Sequence, residues 1–387
     1  MKLYPFSLVF FLFIPIHGLL LLENIWQGMM DRNDPFSSSS PILIHRPRSE
    51  TPGDAVSEGV GYGLILAMYA NDSKGFNRLL EGAEATMWNG GCYDWRVNQH
   101  GQRVAYGAAT DAEQDIATML IMADARVRKG EWVDYQNGFY RTRAITILSN
   151  LWNRGITSDG IVMPGYGWGG YSLVNVGYLA PAWYRIYAQF DPDPSHDWNK
   201  VIDRSYTILE QSPGHTRGLI PDWMTAGGQY VWTGDLGYNA YGDGKYMFKD
   251  AIRTLWRIGT DMLWFNDSRA ISFIENAASF LSNINDADFF QMDGSLVPKG
   301  DTWVFDGGQR TRARREHSAL TVGMWVIPLF LTYPQQQQQE MLKTTLLQFY
   351  SNSTHEWDST DNELYFEQFL ATFGYLFLSK QWMNLYL

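Results

Sequence analysis

The sequence predicts an all-α fold, a toroid of six inner and six outer helices. Three observations lead there. Apolar residues recur at spacings of three and four along most of the chain, and strand-like alternation is scarce. The helical stretches fall into pairs, one helix, a short turn, then another helix. Each pair is followed by a longer loop rich in glycine and tryptophan, and the loops at 89–110, 154–175, 212–246 and 284–316 are too long to be plain connectors. Such loops suit a binding surface collected on one face of a helical scaffold. No sequence repeat is evident, which disfavours a helical-repeat solenoid.

In chain order, the spacing predicts helices over 58–71, 74–88, 111–128, 137–153, 176–190, 197–211, 247–265, 267–283, 317–331, 336–350 and 362–380. A helix near 21–31 brings the number to twelve. Ser57 is a candidate N-cap for the second of these, and Thr110 or Asp111 for the fourth. The tract Gln335 to Gln339 enters the 336–350 helix, and Ser37 to Ser40 lies in a linker before the domain; both read as surface features without function.

The 387 residues are 45% hydrophobic, enough for a large core, and residues 19–387 read as one domain. Residues 1–18 read as a secretory signal: Lys2 supplies the positive start, Leu8 to Pro15 the apolar stretch, and Gly18 a small residue before cleavage. A retained membrane anchor is the competing reading, because Leu19 to Leu22 prolong the apolar run, but Pro5, Pro15 and His17 interrupt it. Three sequons, Asn71-Asp72-Ser73, Asn266-Asp267-Ser268 and Asn352-Ser353-Thr354, suit a secreted glycoprotein. The net charge is −11 with no Lys/Arg block longer than two, so nucleic acid is excluded as a partner.

Cys92 is the only cysteine, which rules out an internal disulfide and a cysteine-based metal site; no cofactor or metal is expected. Metal patterns such as H-E-x-x-H are absent, and Glu316-His317 stands alone as a structural pair. No nucleophile elbow, phosphate loop or dinucleotide fingerprint occurs. Aromatic residues make up 15% of the chain, including 16 tryptophans. Several lie in glycine-rich segments, as at Trp88 and Trp168, where an aromatic platform suits the apolar face of a sugar ring.

Three acidic blocks remain. In Val56-Ser57-Glu58-Gly59-Val60-Gly61-Tyr62-Gly63, Glu58 falls in the first turn of a helix, and the glycines leave room for something large to approach. In Ala109-Thr110-Asp111-Ala112-Glu113-Gln114-Asp115, Asp111 and Asp115 share one helix face while Glu113 points elsewhere. In the block from Lys249 to Asp261, Asp250 and Arg253 stand one turn apart beside Trp256 and Trp264, and a buried Asp beside an Arg must be hydrogen-bonded. Taken singly, each block reads as an ordinary capped helix start or a surface ion pair. Together, carboxylates and aromatics are the equipment of glycoside hydrolysis.

The blocks resemble glycoside hydrolase family 8, which includes endoglucanases, chitosanases and xylanases. The likeness is carried by V-S-E-G-V-G-Y-G from Val56, A-A-T-D-A-E-Q-D-I-A from Ala108, and W-G-G-Y-S-L-V-N-V-G-Y-L-A-P-A-W-Y from Trp168. It continues in G-L-I-P-D-W from Gly218 and D-A-I-R-T-L-W-R from Asp250, in the family's order from about residue 24 to 382. The resemblance implies an (α/α)6 barrel and an inverting mechanism, with Glu58 as proton donor, Asp250 as general base and Asp111 positioning and distorting the sugar. It also implies that Tyr178 helps hold the catalytic water, that Arg253 stands near the base, and that Trp95 and Trp168 stack on the glycan. Tyr365 answers to a tyrosine near the C-terminus. Two departures stand out: Glu113 replaces the second Asp of the family's D-[AG]-D, and Lys249 replaces the aromatic residue that usually precedes the base.

The first functional reading is therefore a secreted endo-β-1,4-glucanase acting as a monomer on cellulose or mixed-linkage β-glucan, without stable membrane association. A chitosanase or xylanase on the same scaffold is the near alternative. A non-catalytic glycan-binding protein and a toroid of another family are the further ones. The last requires that Glu58, Asp111 and Asp250 do not converge.

Overall fold

A computed structural model describes residues 16–33, 42–47, 51–231, 246–284, 287–297, 303–306, 309–312, 318–358 and 365–387. Most of the leader, the Ser37 to Ser40 linker and Glu316-His317 lie outside these residues. Helix α1 spans Ile16–Asn33, α2 Ser57–Tyr69, α3 Ser73–Thr86, α4 Thr110–Arg128, α5 Phe139–Asn150 and α6 Pro181–Phe190. Then come α7 Trp198–Gln211, α8 Arg253–Phe265, α9 Ser268–Ile284, α10 Ala319–Thr332, α11 Gln336–Leu347 and α12 Phe366–Leu378. Each of the twelve overlaps a helix expected from apolar spacing.

The helices form two rings. In the inner ring α2, α4, α6, α8, α10 and α12 pack in succession. The circle closes where Tyr62 of α2 meets Phe369 and Phe373 of α12, each at a ring-centroid distance of 5.4 Å. Outer helices pair with them as α2 with α3, α4 with α5, α6 with α7, α8 with α9 and α10 with α11, and α1 lies against α12 and α2. Sequence composition assigns the rings. Every residue of α12 is buried, and α2 exposes part of Glu58 alone. Outer α9 instead buries one stripe, Ala270, Phe273, Ile274, Ala277 and Leu281, at the three-and-four spacing of an amphipathic helix. The glutamine-rich start of α11 is outer and mostly exposed, and only Leu342 and Leu346 of that helix are buried.

Caps set several of the boundaries. Asp72 accepts from the Gly75 N–H, Asp197 from the Lys200 N–H, and Ser318 forms a capping box with Thr321. Pro181 opens α6, where its missing N–H costs nothing. That helix was expected from residue 176, but Val176–Tyr178 instead form a separate 3₁₀ turn capped by Asn175. Likewise α8 begins at Arg253 rather than near 247. The preceding residues make strand β7 (Tyr246–Met247) and a turn.

Two expectations at the start of α2 are corrected. Ser57 is not the cap. Val56 occupies that position, and the buried Ser57 hydroxyl has no hydrogen-bond partner among the described residues. Nor do the glycines clear space for a ligand. A Cβ on Gly59 would sit 3.1 Å from the Tyr365 ring, on Gly61 2.8 Å from Asp115 Cβ, and on Gly63 2.5 Å from Leu79. These glycines let neighbouring elements approach the helix.

The loops between helix pairs carry short antiparallel strands. The first strands, β1 (His45–Arg46), β2 (Asp54–Val56), β3 (Arg96–Val97) and β4 (Arg103–Ala105), join in one small sheet. Strands β5 (Val174–Asn175) and β6 (Trp223–Met224) pair, as do β7 and β8 (Phe290–Gln291). β9 (Trp303–Asp306) pairs with β10 (Gln309–Arg312), and β11 (Tyr350–Ser351) with β12 (Glu356–Trp357). No described helix is long and apolar enough to cross a membrane.

Candidate active site

The candidate residues lie at or just before the N-terminal ends of inner helices: Glu58 on α2, Asp111 on α4, Tyr178 ahead of α6, Asp250 and Arg253 at α8, and Tyr365 at α12. Closing the ring therefore brings them to one rim, where helix dipoles favour negative charge. At the centre is Arg253, fully buried under the inner helices. Its Nη1 donates to Glu58 Oε2 at 2.8 Å and to Asp111 Oδ2 at 2.9 Å, and its Nη2 donates to Asp250 Oδ1 at 2.5 Å. Tyr178 and Phe366 place their rings against the same guanidinium, at 5.1 and 5.7 Å. Three carboxylates, on α2, on α4 and in the turn ahead of α8, thus converge on one cation. A toroid whose acidic residues only cap separate helices is excluded.

Their environments differ. The Glu58 side chain is 20% exposed, that of Asp111 2% and that of Asp250 36%. Burial raises the Glu58 carboxyl to about 7; Arg253 pulls it down and the Asp111 charge pushes it up. Burial also raises Asp111, against Arg253. Burial by itself would lower Arg253, but Tyr62, Asp250, Glu58 and Asp111 hold it firmly protonated. Tyr365, buried, donates to Glu58 Oε1 at 2.9 Å, so both oxygens of that carboxyl are held. Those two donors, Arg253 and Tyr365, favour the charged form, so it is burial, with the Asp111 charge, that keeps this carboxyl protonated up to near neutrality. Asp250 stands more open to water, and this is the division of labour that acid–base hydrolysis requires.

A further layer fixes the turn bearing Asp250. Buried Asp222 accepts the N–H groups of Phe248 (2.9 Å) and Ala251 (2.8 Å) through Oδ1. Burial and then the nearby Asp250 charge push the Asp222 carboxyl well above its usual range. The 3₁₀ turn of Tyr178 touches the same segment, and a Cβ on Gly177 would come 2.1 Å from the Asp250 carbonyl oxygen. Lys249 sets Nζ 3.6 Å from Glu367 Oε1 of α12, so the cation beside Asp250 ties this turn to the last inner helix.

One turn below Arg253, Arg257 makes a two-point pair with Asp115, and Trp183 donates to Asp115 Oδ1 at 2.8 Å. Asp222 and Arg257 were not singled out from sequence, and Asp115 was noted only as sharing a helix face with Asp111. The matched spacing of Asp111/Asp115 with Arg253/Arg257, four residues in each helix, was a signal for Asp115 and Arg257. The position of Asp222 in the Gly218 to Trp223 block was a signal for Asp222.

The aromatic candidates divide. Trp95 is 37% exposed and Trp168 is half-buried, edge-on to Trp223 at 5.9 Å. Trp88 is not a free platform, for Arg143 stacks on it at 3.8 Å and Tyr93 meets its edge. Cys92 is buried, and burial raises its thiol to about 11, which makes it a poor nucleophile.

With this geometry in view, likeness to known proteins decides the family. A profile described as glycosyl hydrolases family 8 matches residues 44–309. This chain belongs to glycosyl hydrolases family 8. The family 8 chain is 33% identical over 292 residues to Endoglucanase 2 of Ruminiclostridium josui, covering 74% of this chain and 60% of that protein. It is also 33% identical over 297 residues to Endoglucanase A of Acetivibrio thermocellus, covering 74% and 59%. It therefore spans about 60% of the length of these relatives. The crystal structure of a reducing-end-xylose releasing exo-oligoxylanase superposes with a TM-score of 0.73 at 17% identity, over 96% of this chain and 94% of that one. That likeness spans more of the chain than the profile match, which ends at residue 309.

Proposed function

We propose that this family 8 chain is an inverting endo-β-1,4-glucanase acting on cellulose or mixed-linkage β-glucan. The observation that carries the reading is the convergence of Glu58, Asp111 and Asp250 on Arg253 in one rim. The two endoglucanases it resembles at 33% identity support the substrate class.

In this reading Glu58, neutral below about pH 7, donates its proton to the leaving glycosidic oxygen. Asp250, the most exposed of the three carboxylates, accepts a proton from the attacking water on the opposite face of the ring. Inversion needs the two carboxyls roughly 6.5–9.5 Å apart, so that the attacking water fits between the base and the sugar. Asp111 binds sugar hydroxyls more tightly as the ring flattens toward the oxocarbenium ion, which stabilises the transition state over the ground state. Tyr178 helps hold the water, Tyr365 and Arg253 orient Glu58, and Trp95 and Trp168 stack on flanking sugars.

Residues 1–18 act as a secretory leader, and the mature chain works outside the cell as a monomeric glycoprotein. Of the three sequons, Asn71 is the most engaged, since its Oδ1 accepts from Arg126 and Trp132. Asn71, Asn266 and Asn352 are all exposed, and the two whose amides do not share that engagement, Asn266 and Asn352, are the acceptors this reading favours. A mass decrease on enzymatic deglycosylation, mapped to those two positions, checks it.

The decisive experiment is reducing-end release by the purified chain on carboxymethyl cellulose, lichenan, chitosan and xylan, beside Glu58→Gln. Activity on the first two that vanishes in the variant supports the proposal. Activity confined to xylan favours a xylanase, a reading to which the exo-oligoxylanase likeness gives some weight. Binding without release makes the chain a lectin-like relative.

A further inference from the structure

Glu113 lies two residues after Asp111 on α4, fully buried, and takes no part in the chemistry proposed above. Its Oε1 accepts the backbone N–H of Tyr93 at 2.8 Å, and its Oε2 accepts the Tyr166 hydroxyl at 3.3 Å. Those partners come from the two separate loops that carry the candidate platforms. Trp95 follows Tyr93 by two residues, and Trp168 follows Tyr166 by two. We propose that Glu113 is a positioning residue that fixes both tryptophan-bearing loops, and with them the spacing of the aromatic subsites, from a single carboxyl at the mouth of α4. This rests on the reading of Trp95 and Trp168 as glycan platforms.

The rest of each loop is built to transmit such a hold. On one side, the Trp95 carbonyl accepts from the Ser57 N–H at 3.0 Å, which ties that loop to the residue before Glu58. On the other, Trp168 N–H returns to the Gly165 carbonyl at 3.1 Å, and Gly165 bridges to Ala109 at the start of α4. Arg154 lies over the Tyr166 ring at 4.9 Å and restrains the phenol that Glu113 receives. The charged and titratable groups around the carboxyl include Tyr166, Tyr93, Arg154, Arg143 and Cys92. Burial raises the Glu113 carboxyl to about 8, so it is neutral through the acidic range and a glutamine reproduces its shape and one acceptor oxygen. A chain with Asp at this position would be one methylene shorter and could not span the same two partners without moving a loop.

The test uses hydrogen–deuterium exchange on the full chain, together with steady-state kinetics on lichenan. Glu113→Ala should raise exchange about tenfold in residues 89–98 and 163–170, the scale of one lost buried hydrogen bond, and Glu113→Gln should stay near the parent. Tyr166→Phe should loosen residues 163–170 only. On lichenan, Glu113→Ala should raise KM about tenfold with kcat unchanged. Unchanged protection of both segments in Glu113→Ala, or a fall in kcat at constant KM, overturns the proposal. If Glu113→Ala does not fold, Tyr166→Phe decides it: selective loosening supports the clamp, and parental exchange in residues 163–170 sinks it. A parent chain inactive on every glycan defeats the functional reading, while the exchange experiment still decides whether Glu113 holds the two loops.

Discussion

Arg253 donates to Glu58 across 195 positions of sequence, at 2.8 Å, from beneath the rim on which three carboxylates meet. The bond joins α8 to α2, and through Asp111 the same nitrogen joins both to α4. An arginine serves here because its planar fork sets one nitrogen between Glu58 and Asp111 and another on Asp250, which a lysine ammonium cannot do at this geometry.

Replacing Arg253 by Met should therefore destabilise the fold by about 3–5 kcal/mol at neutral pH, because it strands buried carboxylates. The sign of the pH dependence follows from Glu58 and Asp111. Both are already raised by burial, and losing the cation raises them further. Below the ordinary carboxylate range they are protonated in folded and unfolded chains alike, so the penalty shrinks there and grows as pH rises. Chemical denaturation at pH 4 and pH 8 checks this, and an equal loss at both would refute it.

Activity should follow Glu58. With its carboxyl at about 7, kcat/KM on soluble β-glucan should fall as pH rises through neutrality, as the proton to be donated is lost. Stability is linked in the same direction. A carboxyl raised from 4.5 to about 7 on folding contributes stability that is complete below 4.5 and lost as pH rises through 7. Glu58→Gln should be inactive, and its stability relative to the parent should increase between those values and level off outside them. Thermal unfolding of both proteins across pH 4–9 is the measurement.

The outer helices were legible because their burial is periodic and the inner ones, such as α2 and α12, because they are long apolar runs, and every expected helix has its counterpart. Their starts were less so. Near 176 and 247 the chain continues apolar through a 3₁₀ turn and a short strand, so hydrophobic spacing ran past the true boundaries at Pro181 and Arg253. The glycines near Glu58 were misread because a residue without a side chain gives the same signal for an approaching ligand and an approaching helix. Only the structure distinguishes Tyr365 and Asp115 as the occupants. Glu113 was read as pointing away from the chemistry, which it does, but its partners Tyr93 and Tyr166 lie 20 and 53 residues off. Asp222 is similar: its two donors are backbone groups 26 and 29 residues later, and a backbone N–H leaves no residue-type signature.

Asp222 offers a prediction that separates shape from charge. Its Oδ1 organises the turn that presents Asp250, and burial with the neighbouring negative charge pushes its own carboxyl up. An asparagine keeps the acceptor oxygen, so Asp222→Asn should retain most activity, whereas Asp222→Ala should lose about a hundredfold in kcat through misplacement of the base. Gly177→Ala attacks the same turn from the other side, with a Cβ 2.1 Å from the Asp250 carbonyl, and should show a loss of similar size. Equal kcat in Asp222→Asn and Asp222→Ala would refute the positioning role.

The pair below the rim gives a prediction about stability rather than chemistry. Asp115 and Arg257 are both buried, and they repeat one turn down the same α4–α8 contact that Asp111 and Arg253 make above. Removing one partner leaves the other charge uncompensated, so Asp115→Ala should cost about 3–5 kcal/mol. Replacing both together, with Asp115→Leu and Arg257→Met, removes two desolvation penalties along with the attraction and should cost much less than the sum of the single changes. The outcome bears on the site as well. If the lower pair sets the register of α4 on α8, the double variant should fold stably yet lose kcat, because Asp111 and Arg253 then lack the constraint that aligns them. If it is stable and fully active, the upper cluster aligns itself and the lower pair serves stability alone. A double-mutant cycle read in both unfolding free energy and kcat separates the two.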